Sequence, residues 1–138
     1  MTLNRYFIDA NIIIRHLTGD HPTLSPKATR FMEKIAKKEI LSYITTLVIH
    51  EVTYVLQYVY GVNRKKITES LKKLLKLENL EVLDMDKDSL LQALDDFTKY
   101  NVDFPDCVYK QILLNQGLEM ASFDKDFRKL HINPTTEV

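Results

Sequence analysis

The feature that most constrains this chain is the alternation of short β-like runs with longer helical stretches. RYFI (5–8), ILSYI (40–44), LEVLDM (80–85) and LEMASF (118–123) read as strands, the first of them buried, and HIN (131–133) as a short fifth. Helical periodicity fills the intervals, at about 11–17, 25–38, 46–60, 63–77, 86–100 and 104–116. Ser25-Pro26 puts a capping residue before a first-turn proline, and Gly61 and Gly117 stand where helices should stop. Strands separated by helices imply an α/β chain: a three-layer α/β/α domain around a central, mostly parallel sheet of four to five strands. The 138 residues suffice for one such domain, 1–138, with a full core. In sheets of this kind ligands gather outside the carboxyl ends of the strands.

Composition narrows the chemistry. A single cysteine, Cys107, excludes an intramolecular disulfide and a zinc cage built on thiolates. The start MTLNRYFID does not read as a signal peptide, and no apolar run approaches the roughly 18 residues of a membrane span. An intracellular, cytoplasmic setting is therefore expected. The net charge of zero hides an asymmetry: residues 1–77 hold 13 Lys and Arg against 6 Asp and Glu, and residues 78–138 hold 6 against 13. The positive excess lies in PKATRFMEKIAKK (26–38) and NRKKITESLKKLLK (63–76), which read either as solvated lysine faces or as tracks for a phosphate backbone.

Four carboxylates stand out. Asp9 follows the first strand in FIDANIIIRHL, as a helix cap or as an acid held at a strand end. Glu51 is the one formally charged residue between Glu39 and Arg64, on a helix apolar nearly all round, which predicts burial. A buried carboxylate needs a cation, a proton or a wet cleft. In NVDFPDCVYKQILLNQG, Asp103 is expected to cap a helix, with Asp106 one turn in and facing a cleft. Asp124 follows the fourth strand in MASFDKDFRKL and repeats the arrangement of Asp9. Acids converging on one cleft repel one another unless a cation intervenes. Hard oxygen donors point to Mg2+ or Mn2+ rather than zinc. The four histidines, His16, His21, His50 and His131, show no ligand spacing and read as surface or packing residues.

In series, FIDANIIIRHL, TTLVIHEVTYVL, VDFPDCVYKQIL and ASFDKDF resemble the PIN-domain nucleases, most closely the VapC toxins of prokaryotic toxin–antitoxin pairs. The resemblance spans residues 5 to 130. It implies that Asp9, Glu51, Asp106 and Asp124 are the catalytic, metal-holding acids, with Asn11, Asp103 and Ser122 supporting them. It also implies one or two Mg2+ or Mn2+ ions, endonucleolytic cleavage of RNA, a homodimer and a small antitoxin partner. The basic helices would then hold substrate phosphates beside the acids. Tyr54 and Tyr58, one turn apart on the Glu51 face, read as core or subunit-interface residues, with base stacking as the alternative.

Two other readings remain open. A strand-end Asp also serves as phosphate acceptor in phosphatases of the haloacid-dehalogenase type. Those favour a second Asp two residues on, where this chain has Asn11. A PIN-like fold that does no chemistry would instead be an RNA- or protein-binding module.

Overall fold

Every strand of the sheet is parallel to its neighbour. The computed structural model describes residues 2–138. The chain forms two compact units, the first ending at Lys87 and the second covering Asp88–Val138.

The first unit carries the sheet, in the order β1 (Arg5–Phe7), β2 (Leu41–Ile44), β3 (Leu80–Val82). Tyr6 is level with Ser42, and Ser42 with Leu80. Parallel neighbours cannot be joined by tight hairpins. Two helices therefore cross between each pair of strands: α1 (Ala10–Thr18) and α2 (Leu24–Ala36), then α3 (Thr46–Tyr58) and α4 (Arg64–Leu75). Their apolar stripes supply the core, where Ile13, Ile35, Ile44, Ile49, Val52, Ile67, Leu71 and Leu80 are fully buried. Each such side chain contributes about 1.5–3 kcal/mol by leaving water. All six α-helices among the described residues start and end within two residues of the predicted limits.

The first strand departs from expectation. RYFI was expected to be buried, yet Arg5, Tyr6 and Phe7 are all exposed, Phe7 at 57%, and only Ile8 is enclosed. β1 lies at an edge of the three-stranded sheet, with a partner on one side. Tyr6 still packs edge-on against Phe31 of α2, with ring centroids 5.4 Å apart. Arg5 lies over the Tyr43 ring at 5.0 Å.

Local chemistry explains the helix ends. Asp9, Thr45 and Asn63 occupy extended N-cap positions, and their side chains accept the amides of Asn11, Val48 and Lys66. Gly19 ends α1 at φ 62°, a left-handed conformation that a side chain would strain. Beyond it, the Asp20 carboxylate accepts from the Tyr60 hydroxyl (2.7 Å), the Thr18 hydroxyl (2.7 Å) and the Arg15 guanidinium (3.3 Å). This clip ties the end of α1 to the end of α3.

The second unit contains α5 (Lys87–Lys99, whose first residue belongs to the first unit), α6 (Phe104–Gln116) and a 3-10 turn (Lys125–Leu130). Leu90, Leu94, Phe97, Phe104, Cys107 and Leu130 form its core, with Phe97 and Phe104 meeting edge to face at 5.9 Å. Lys110 of α6 pairs with Asp96 of α5 at 3.3 Å. The segments expected as the fourth and fifth strands add nothing to the sheet. Segment 118–123 makes one parallel bridge, Ala121 to Thr135. His131 takes a left-handed backbone (φ 62°) that ends the 3-10 turn and prevents 131–133 from extending. No helix among the described residues is long and apolar enough to cross a membrane.

Two outcomes follow from these contacts. The three donors, Tyr60 first, hold the Asp20 carboxyl at about 2 against an ordinary 3.8. A depressed carboxyl stabilises the fold above the unfolded value, so this contribution is complete above 3.8 and lost as pH falls toward 2. Tyr60→Phe removes the leading cause and should raise the Asp20 titration midpoint, read by NMR of the side-chain carboxyl. Separately, Asp84 accepts both the Thr46 amide (2.9 Å) and the Thr46 hydroxyl (2.7 Å) at the start of α3. Asp84→Ala should therefore lower unfolding stability by about 1 kcal/mol in urea titrations.

Candidate active site

Asp9 and Glu51 belong to the first unit. Ile8 donates its amide to the Tyr43 carbonyl at 3.0 Å, so β1 and β2 end side by side. Asp9 and Thr45 then open α1 and α3 from neighbouring corners. Asp9 is exposed; one of its oxygens accepts the Asn11 amide at 3.1 Å. Asn11 is also exposed. Capping and chemistry are thus not alternatives for Asp9, because a carboxylate has acceptor capacity beyond one amide.

Glu51 lies about 9 Å along α3 from Thr45, at 1.5 Å per residue. The expected burial of Glu51 is not found: the side chain is exposed. Leu47 (62% exposed), Tyr54 (54%) and Tyr58 (59%) lie along the same face of α3, so neither tyrosine is in the core. The helix buries Val48, Ile49, Val52, Thr53 and Leu56 instead, and its outward stripe is apolar too. Apolar residues on both faces made the helix look enclosed.

The remaining acids belong to the second unit. Asp106 sits in the first turn of α6 and is half-buried. Desolvation raises its carboxyl above the ordinary value, and the charges of Asp124, Asp103 and Asp126 push it further in the same direction. Asp106 and Asp124 are therefore within electrostatic reach of each other. Asp124 is exposed and caps the 3-10 turn by accepting the Asp126 amide at 2.8 Å. The Ser122 hydroxyl accepts the Asp124 amide at 3.0 Å, which fixes the backbone of that acid.

Asp103 corrects its expectation. It occupies the N-cap position of α6, but its side chain makes no capping bond. Pro105 has no amide at the second helical position, and the Asp106 amide goes to the Asp103 backbone carbonyl at 3.1 Å. Its carboxylate is left to act on Asp106 through space. The histidines hold packing or capping roles: His16 bonds Thr29 (2.9 Å), and His21 accepts the amide of Leu24 (2.9 Å). Asp84, at the end of β3, was not singled out from sequence; its two bonds to Thr46 make it a support for the helix that carries Glu51.

Within neither unit do three His, Cys, Asp or Glu side chains converge closely enough to hold a metal ion, among the described residues. The donor chemistry nonetheless fits a hard dication. The acids offer only oxygen, and the half-buried Asp106 carboxyl is raised first by desolvation and then by the charges of Asp124, Asp103 and Asp126. A raised carboxyl lowers folding stability as pH climbs through and above the ordinary carboxylate range, because the folded state binds the proton more tightly than the unfolded chain. Asp106→Asn removes that repulsion. In EDTA at neutral pH it should melt at a higher temperature than the wild type, as measured by circular dichroism.

The PIN domain family model matches residues 6–133. Ribonuclease VapC2 of Methanocaldococcus jannaschii is 28% identical over 152 aligned positions, which cover 100% of this chain and 97% of the relative. The crystal structure of Mycobacterium tuberculosis VapC20, a sarcin–ricin loop cleaving toxin, is similar at 17% identity with a TM-score of 0.44, over 94% of this chain and 98% of that one. With a family match reaching from Tyr6 to Asn133, the chain belongs to the PIN domain family.

Proposed function

We propose that this protein is a Mg2+- or Mn2+-dependent endoribonuclease, the toxin component of a toxin–antitoxin pair. The observation that carries the reading is the half-buried Asp106, whose carboxyl is raised first by desolvation and then by the charges of Asp124, Asp103 and Asp126. Perturbed acids of this kind cluster at functional sites. Family membership and the ribonuclease name of the archaeal relative supply the reaction class. The family match crosses the boundary at Lys87, which supports treating the two units as one nuclease domain, 1–138.

The residues that would hold one or two ions are Asp9, Asp106 and Asp124, with Glu51 acting directly or through water. Bound there, a dication supplies Lewis-acid polarisation of a phosphoryl group and a water of lowered pKa. The chain's own part is positioning. Asn11 pins one oxygen of Asp9, Ser122 pins the amide of Asp124, and partial burial keeps Asp106 strongly interacting. An RNA substrate, a small antitoxin that blocks the acids, a homodimer and a cytoplasmic location complete the proposal.

A second reading, an RNA- or protein-binding module without activity, is favoured by one observation: among the described residues no three acids converge within either unit. Labelled RNA incubated with Mn2+, Mg2+ or EDTA separates the two. Cleavage that EDTA abolishes supports the nuclease, and intact RNA under all three conditions supports the binder. Asn caps helices as well as Asp does. Asp9→Asn should therefore keep the circular dichroism melt while cutting the cleavage rate by at least about 100-fold, since even outer-shell changes at metal sites cost 10–100-fold. Wild-type rates in that variant would count against the assignment.

A further inference from the structure

The outer face of α2 carries a feature that the acids do not use. Lys27, Arg30, Phe31 and Lys34 line a concavity of about 220 Å3. Their spacing places them on one face of the helix, across two turns. Among the described residues none of the three cations makes an ion pair, whereas Arg15, Lys38, Lys110 and Lys129 each do. Arg64 and Lys72 of α4 also have partners. Lys27, Arg30 and Lys34 therefore bring like charges together on this face, with Glu33 the one acid on the same helix. Between them lies an aromatic ring: Phe31 is partly exposed and held from behind by Tyr6 of β1, edge-on at 5.4 Å.

We propose that this face is a single-stranded RNA subsite, where Lys27, Arg30 and Lys34 seat phosphates and a splayed-out base stacks on Phe31. Cations beside an aromatic platform match the two repeating parts of a single strand, its charge and its π-faces. An acidic protein segment would satisfy the charges and leave the ring unused. A duplex keeps its bases stacked and would likewise leave the ring unused. The subsite deepens the nuclease reading by naming where the substrate is held, and it rests on that reading only for the identity of the polyanion.

The test uses full-length protein carrying Asp9→Asn, in EDTA, so that binding is measured without cleavage. The probe is a fluorescein-labelled 12-nucleotide oligouridylate followed by anisotropy. Adding Lys27→Gln, Arg30→Gln and Lys34→Gln together should weaken binding by about tenfold or more. It should also reduce the slope of log K against log salt by about two, at roughly 0.7 per phosphate contact on a single strand. Phe31→Leu keeps an apolar group against Tyr6 but removes the stacking face. It should weaken binding about five- to tenfold and erase the preference for the intact oligonucleotide over one with abasic positions. Thermal melts check that each variant is folded.

Unchanged affinity in the folded triple variant would overturn the subsite, as would equal binding of intact and abasic strands. Competition by polyglutamate as strong as by RNA would assign the face to an acidic protein instead. Wild-type protein assayed in parallel for cleavage keeps the two readings apart. Cleavage with unchanged binding in the triple variant sinks the subsite alone, and absence of cleavage with the expected binding losses sinks the nuclease alone.

Discussion

A parallel sheet has no tight turns, and that constraint organises the corners of the first unit. At the carboxyl ends of β1 and β2 the chain must open a helix whose first amides lack partners. Oxygen-bearing side chains meet that demand: Asp9 for α1, Thr45 and the distant Asp84 for α3. The requirement that closes the fold thus also collects acceptors along one end of the sheet. Capping occupies part of each carboxylate and leaves the rest available, so structural and chemical roles coincide on the same atoms.

The second unit shows the opposite balance. Asp96 and Asp126 have lysine partners and Asp124 caps a turn, whereas the half-buried Asp106 has a carboxyl raised above its ordinary value, first by desolvation and then by the neighbouring acids. A fold that keeps such a cluster gives up some stability in exchange for a group whose protonation is easily biased. Cations do occur nearby in sequence, at Lys99 and Lys110, but Lys110 is drawn to Asp96 and both lie against the Tyr100 ring.

How much of this could be read from letters depended on whether the determining contact was local. The end of α6 was legible because Gly117 acts on its own turn, whereas the structure caps α2 at Thr23 rather than Ser25 and places the C-cap of α3 at Val59, two residues before Gly61. The Asp9 and Asp124 positions were legible for the same reason. Burial of β1 was not, because exposure depends on which distant elements cover a strand, and RYFI spells none of that. Glu51 misled because an apolar stripe facing solvent has the same spelling as one facing a core. The Phe31 concavity was invisible, since its backing ring comes from Tyr6, 25 positions away and on a different element.

Pro105 shows how a missing atom can shape a charge distribution. An N-cap carboxylate can accept an amide of the second or third helical position, and here the second has none while the third goes to the Asp103 carbonyl. The proline withholds that donor, so the negative charge stays unspent one turn below Asp106. It works as an insulator between helix architecture and electrostatics, letting a residue placed like a cap serve as a source of field.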